Sequence, residues 1–184
     1  MIRPYKGLGD LIRAFGRVRA QIAAAWLVIA GHPLEDFAPY QDAIAAASIR
    51  ECAALHLGYH PVSEVAKFFR AADVVVLPYR SASQSGIAQL AFAFGVPVVA
   101  TRVGGLPEVI EHERTGLLVD PGDEHGLAEA ITRLLTDATL CRSMSVRAIE
   151  QAATRYSWSQ VAEMTRGIYD SARDHRRTRA LVTE

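Results

Sequence analysis

Short apolar runs of strand length alternate along this chain with longer stretches of helical period. That alternation restricts the fold more than any other feature of the 184-residue sequence. From Leu8 to Ile22 the apolar residues Leu8, Leu11, Ile12, Phe15 and Val18 recur at steps of three and four, which is one face of a helix. Ala25–Ala30 then reads as a buried strand stopped at Gly31-His32-Pro33. A helical stretch over Glu35–Ala47 leads to a short strand, Ala54–Leu57, closed by Gly58. Ser63 opens a helix presenting Val65, Phe68 and Phe69, and Asp73–Leu77 reads as a strand buried on both sides. A polar loop, Tyr79–Ser85, precedes an apolar helix, Ile87–Phe94. Val96–Ala100 and Gly116–Val119 complete the strands, with a short helix, Leu106–Ile110, between them. Two or three helices finish the chain, the last over Ser157–Arg173.

Continuous apolar strands alternating with helices predict an α/β fold: a three-layer, Rossmann-like parallel sheet with helices on both faces. Ligands of such open sheets sit at the carboxyl ends of the strands. The loops to watch are therefore Gly31-His32, Gly58–His60, Tyr79–Gly86 and Thr101–Gly105. The formal net charge is zero and 50% of residues are hydrophobic. A balanced surface argues against nucleic acid or an anionic membrane as principal partner, since both reward basic charge. Cys52 and Cys141 have no CxxC or histidine spacing around them, so they read as reduced structural thiols and no metal site is expected. No apolar run is long enough for a bilayer, and none follows Arg3 and Lys6 as in a signal peptide. The expected location is the cytoplasm, or the inner face of a membrane at its periphery.

Three segments carry candidate chemistry. In Tyr79–Gly86, Ser83 or Ser85 could cap the following helix. Gly86 admits a ligand to the backbone, Arg80 adds a fixed charge, and a helix start with free N–H groups attracts phosphate. In Val103–Glu108, Gly104 and Gly105 permit a tight turn and Pro107 suits a first helical turn. Glu108 either serves its own helix or accepts a sugar or ribose hydroxyl. In Lys6-Gly7, a lysine at a helix start can neutralise diphosphate oxygens; taken alone, it reads as a solvated lysine. No dinucleotide G-x-G-x-x-G, P-loop or G-x-S-x-G elbow is present. The six histidines have no ligand spacing, although His32 and His60 fall on strand-end loops.

Taken in order, these segments resemble the C-terminal, donor-binding domain of the retaining GT-B glycosyltransferases of group 1, or family 4. The series is R-P-Y-K-G (3–7), L-V-I-A-G (27–31), L-G-Y (57–59), A-D-V-V-V-L-P-Y-R (72–80), Q-S-G (84–86), G-V-P-V-V-A-T-R-V-G-G-L-P-E-V-I (95–110), T-G-L-L-V-D-P-G-D (115–123) and Y-S-W (156–158). The resemblance implies a UDP-, GDP- or ADP-sugar donor held without cofactor or metal. Lys6 and Arg3 are then the catalytic cations at the diphosphate. Gly7, Arg80, Gln84, Ser85, Gly86 and Gln89 line the diphosphate and donor side. Gly31, Tyr59, His60, Gly104, Gly105 and Glu108 lie at the base, ribose or sugar edge. Two departures stand out. The glutamates that the family spaces E-x7-E fall at Ala82 and Leu90, leaving Gln84 and Gln89 as nearby polar groups. The family's usual first arginine falls at Met1, with Arg3 two residues further on.

The same resemblance implies one half of a GT-B fold. The expected organisation is a nucleotide-sugar-binding domain over 1–176 that lacks its first strand, and a charged tail over 177–184. The resemblance leads to the expectation that the N-terminal acceptor domain is absent. Transfer then needs that domain or a separate subunit. The apolar face Val161, Met164, Ile168 and Tyr169 would be left uncovered and prone to self-association. A non-catalytic nucleotide-sugar-binding module is the alternative, favoured by the lost glutamates. Another GT-B relative, an epimerase or a phosphorylase, fits less well with K-G, G-G-L-P-E and T-G-L-L-V-D-P-G-D.

Overall fold

The computed structural model describes residues 1–155 and 158–181; Tyr156 and Ser157 of the Y-S-W segment lie outside the described residues. Five parallel strands alternate with helices: β1 (Leu27–Gly31), β2 (Ala53–Leu57), β3 (Val75–Leu77), β4 (Val98–Thr101) and β5 (Gly116–Val119). The helices are α1 (Leu8–Gln21), α2 (Ala38–Ala46), α3 (Val62–Ala71), α4 (Gly86–Ala93), α5 (Leu106–Val109), α6 (Glu124–Thr136), α7 (Ala138–Arg155) and α8 (Trp158–Leu181). The helix α8 continues past Arg173, where its end was read, to Leu181.

The apolar periodicity of α1 has a clear destination. Leu8, Leu11, Ile12, Phe15 and Val18 are buried in one cluster with Leu27 and Ile29 of β1 and Leu127, Ile131 and Leu134 of α6. Each such side chain contributes about 1.5–3 kcal/mol on burial. A second cluster covers the opposite face, joining Leu77, Val98, Ala100 and Leu118 to Ala88, Ala91 and Phe92 of α4 and Ala148 of α7. Alternate residues of β4 thus feed different clusters, Val99 one and Val98 and Ala100 the other. This is the three-layer arrangement expected of a sheet buried on both sides.

The sheet itself is divided. β1 pairs with β2 in the register Leu27↔Ala53 to Gly31↔Leu57. β3, β4 and β5 form a separate ladder in that order. Val75 and Val76 are consequently only half-buried, against the expectation of a strand buried on both sides, because β3 lies at a ladder edge. Between the two ladders at their carboxyl ends runs the N-terminal segment. Ile2 makes a parallel bridge with Pro33, donating its N–H to His32 and accepting from Leu34. Three residues on, the Tyr5 carbonyl accepts from the Arg80 N–H at 2.7 Å.

Among the described residues no helix is long and apolar enough to cross a membrane. Both cysteines are free, Cys52 buried and Cys141 partly so.

Candidate functional site

The loop leaving β3 and the N-terminal segment enclose a cavity of about 450 Å³. Its walls are Tyr5, Lys6, Tyr79 and the run Ser81–Ile87, which ends at the start of α4. This is the carboxyl end of the sheet, where an open α/β fold places its ligand.

Each wall is fixed by a local feature. Residues Pro4–Lys6 form a single 3-10 turn that closes on Gly7, whose φ of 65° is left-handed. A β-carbon on Gly7 would overlap the Pro78 carbonyl oxygen. Glycine is required there twice, for its backbone angle and for the close approach. That approach presents Lys6 to Tyr79. The Lys6 Nζ donates to the Tyr79 hydroxyl at 3.4 Å and lies 5.1 Å from the centre of its ring. The Tyr79 hydroxyl in turn meets Ser85 Oγ at 3.4 Å, and Tyr5 stands edge-on to the Tyr79 ring. The Tyr79 side chain, only 5% exposed, is thus the floor linking the cation to the α4 loop.

At the other wall, neither Ser85 nor Ser83 caps α4; Ser85 occupies the N-cap position without a side-chain bond to the helix. The first turn of α4 thus has no cap from the serine, and its residues Gly86 and Ile87 line the cavity. Gly86 has an ordinary backbone angle and open space where a β-carbon would project. Nothing in the chain itself demands glycine there. Gly104 and Gly105, by contrast, lie under the 81–85 loop. A β-carbon on Gly104 would overlap the Ala82 carbonyl, and the Gly105 N–H donates to the Ser83 carbonyl at 2.9 Å. Thr101, buried at the end of β4, donates its hydroxyl to the Tyr79 carbonyl. The cavity floor is thus tied down from β4 as well.

Arg80 turns away from the cavity. Its guanidinium makes two bonds to Asp10 of α1, Nε to Oδ2 at 2.9 Å and Nη2 to Oδ1 at 2.7 Å. Arg13 adds a third to Oδ1 at 2.7 Å and reaches Glu124 of α6 at 2.7 Å. The Arg80 hydrogen bond, acting against the cost of burial, holds the Asp10 carboxyl below its ordinary value.

The candidates from the sequence fall into two groups. Lys6, Gln84, Ser85 and Gly86 meet at the cavity. Gly7, Gly104 and Gly105 support it from behind through backbone contacts. Arg3, Gln89 and Glu108 lie outside its walls. Gly31 lies at the end of β1, close to the Met1 nitrogen. Tyr59 is 82% exposed. His60 bonds the His56 carbonyl at 2.8 Å and packs edge-on against Phe68, so its ring belongs to the β2–α3 turn. Of the positions that replace the E-x7-E pair, Leu90 packs on the second core cluster, as does Ala82 in part. Tyr79 and Asp10 were missed in the sequence. Asp10 is a charged residue inside an apolar helical face, 3% exposed, and that position was its only signal. Among the described residues no three His, Cys, Asp or Glu side chains gather as a metal site.

The family model described as glycosyl transferases group 1 matches residues 1–137. D-inositol 3-phosphate glycosyltransferase of Stackebrandtia nassauensis is 35% identical over 179 residues, covering 93% of this chain and 40% of that protein. N-acetyl-alpha-D-glucosaminyl L-malate synthase of Bacillus anthracis is 31% identical over 173 residues, covering 94% and 44%. Among solved structures, sucrose-phosphate synthase of Thermosynechococcus elongatus superposes with a TM-score of 0.79 at 26% identity, over 94% of this chain and 44% of that one. Anabaena Alr3699/HepE, in complex with UDP-glucose, gives 0.82 at 20% identity over 92% and 46%; that likeness is one of fold. The chain spans less than half the length of these relatives.

Proposed function

This chain belongs to the group 1 glycosyltransferases, and from that premise we propose that it is the nucleotide-sugar-binding domain of a retaining glycosyl-transfer enzyme. The observation that carries the reading is the meeting of Lys6, Tyr79, Ser85 and the Gly86 helix start around one cavity at the sheet's carboxyl end. In this reading a UDP-, GDP- or ADP-sugar lays its diphosphate between the Lys6 ammonium and the first turn of α4. When the bond from the sugar's anomeric carbon to the diphosphate breaks, the electron pair leaves with the nucleoside diphosphate. The charge that grows on the phosphate oxygen meets a fixed cation and fixed N–H dipoles, which need no reorganisation. Lys6 fills the role a metal ion plays elsewhere, and no cofactor is invoked. Gly86 leaves the backbone open to the phosphate, while Arg80 anchors the loop to α1.

The acceptor side of the cleft comes from another domain or subunit, or from association of two copies. Val161, Met164, Ile168 and Tyr169 of α8 are between 44% and 70% exposed, an apolar stripe available for such a contact. A non-catalytic nucleotide-sugar-binding module is the second reading, favoured by the apolar packing of Leu90 where a sugar-binding glutamate would stand.

Titration calorimetry of the chain with UDP, GDP and ADP tests both readings. One nucleotide should bind, and no binding to any of them sinks both. A donor-hydrolysis assay on the chain reconstituted with an acceptor domain then separates them, since turnover supports the enzyme and binding without turnover supports the module.

A further inference from the structure

One buried amide interrupts the apolar face of α7. Gln151 stands with Met144 and Ala148 on the side that this helix buries, and is itself only 8% exposed. Its Nε2 donates to the Val109 carbonyl at 2.8 Å. Among the described residues no partner reaches its buried Oε1. A buried oxygen left without a donor carries a desolvation cost that an apolar side chain of the same size would avoid. What the amide supplies in return is the bond to Val109.

That bond lands on the last residue of α5, a helix of four residues. The closing carbonyls of a helix have no partner within it, and a single turn does not hold its shape unaided. Leu106, Val109 and Ile110 seat α5 in the second core cluster, but apolar packing is non-directional. The Gln151 bond adds a fixed distance and direction. At the other end of α5 the Gly105 N–H donates to the Ser83 carbonyl at 2.9 Å, and Gly104 leaves no room for a β-carbon beside Ala82. Ala82 and Ser83 are walls of the cavity. A continuous path therefore runs from Gln151 through Val109 and Gly105 to Ser83.

We propose that Gln151 is a positioning residue for the cavity: by fixing α5 from α7 it sets where the 81–85 loop stands opposite Lys6. Its effect on ligand binding rests on the nucleotide reading above; the link from Gln151 to the loop does not. Lys6 and the α4 start must meet one diphosphate together, and a misplacement of about 1 Å is enough to be felt at such a site. Gln151 touches no wall of the cavity itself, so it acts only through α5.

The test is amide hydrogen exchange followed by NMR, with UDP titration, on the 184-residue chain. Gln151→Met keeps the size of the side chain and removes the donor. In it the Gly105 amide should exchange at least about tenfold faster, while Ile29 in β1 exchanges as in the parent. UDP should bind at least about fivefold more weakly. Gln151→Glu supplies the rescue. Its carboxylate cannot donate to Val109, but its protonated carboxyl can. Both losses, taken relative to the parent at each pH, should therefore shrink as pH is lowered from about 8 toward about 5, the range in which a buried glutamate takes up its proton. Unchanged exchange at Gly105 in Gln151→Met would overturn the proposal. So would equal acceleration at Gly105 and Ile29, which marks a general loss of stability, parent-like UDP affinity in Gln151→Met, or a Gln151→Glu chain that never recovers. A parent that binds no UDP sinks the nucleotide reading, and the Gly105 amide still decides whether Gln151 holds the loop.

Discussion

The Asp10 carboxylate, buried in the first turn of α1, takes both arms of the Arg80 guanidinium from the loop after β3, at 2.9 and 2.7 Å. The pair joins residues 70 positions apart and is the side-chain tie between α1 and the cavity loop. Arg80→Met leaves a carboxylate only 4% exposed with Arg13 as its remaining ion-pair partner. Losing charged hydrogen bonds of this kind costs about 1–3 kcal/mol. Urea unfolding should show that loss, and adding Asp10→Asn should recover part of it, because no charge then stays buried without its partner. An Arg80→Met chain as stable as the parent would mean the pair forms without stabilising the fold.

The same pair gives stability a pH dependence of known sign. The Asp10 carboxyl is held below its ordinary value of 3.8, first by the Arg80 hydrogen bond. Its contribution is complete above that ordinary value and is lost as pH falls through the lower value of the folded state. The urea midpoint should therefore drop as pH is lowered below about 4. In Asp10→Asn that drop should be shallower. Equal slopes in the two proteins would remove Asp10 as a source of the acid sensitivity.

Three glycines at the cavity should separate fold from binding. Gly7 has a left-handed backbone and no room for a β-carbon beside Pro78, and Gly104 is similarly confined by Ala82. Alanine at either should cost at least about 1–3 kcal/mol of stability, the scale of a strained backbone position. Gly86 has open space and an ordinary backbone angle. Gly86→Ala should leave the melting temperature unchanged or slightly higher, since alanine suits a helix better, while weakening UDP binding. A fall in stability as large as that of Gly7→Ala would show that Gly86 serves the fold instead.

Local pattern made the frame readable. The three- and four-residue steps from Leu8 to Val18 state both the helix and the face it buries, and β1, β2, β4 and β5 follow apolar runs bounded by turn residues. Strand ends shift by a residue or two because the ladder partner decides them, as Gly31 shows by pairing with Leu57. What the sequence hides is contact between distant segments. Nothing near Arg80 announces Asp10, so the ion pair that ties the loop to α1 goes unread. Nothing in Gly104-Gly105 says whether a ligand or the 81–85 loop lies above them. Tyr79, at the end of an apolar run, reads as the start of a loop. Only the approach of Gly7 to Pro78 turns it into the surface on which Lys6 rests.

Lys6 is the side chain on which the donor reading depends most directly. It is partly buried, and among the described residues its ammonium meets the tyrosine, through a long 3.4 Å hydrogen bond and the ring face. Neither neutralises its charge. A diphosphate arriving at the α4 helix start would be the first anion to do so. Lys6→Ala should then weaken UDP binding by about 1.5–3 kcal/mol, the worth of a charged hydrogen bond, or roughly ten- to a hundredfold. Tyr79→Phe keeps the ring under the ammonium and removes only the hydroxyl, so its effect should stay within about 1 kcal/mol, the net worth of a neutral hydrogen bond. Calorimetry at two salt concentrations adds a check, because an ionic contact near the surface weakens as salt rises. The parent chain should lose affinity with salt more steeply than Lys6→Ala. If the two proteins bind UDP equally and respond to salt alike, the lysine is solvated and the diphosphate, if bound, lies elsewhere.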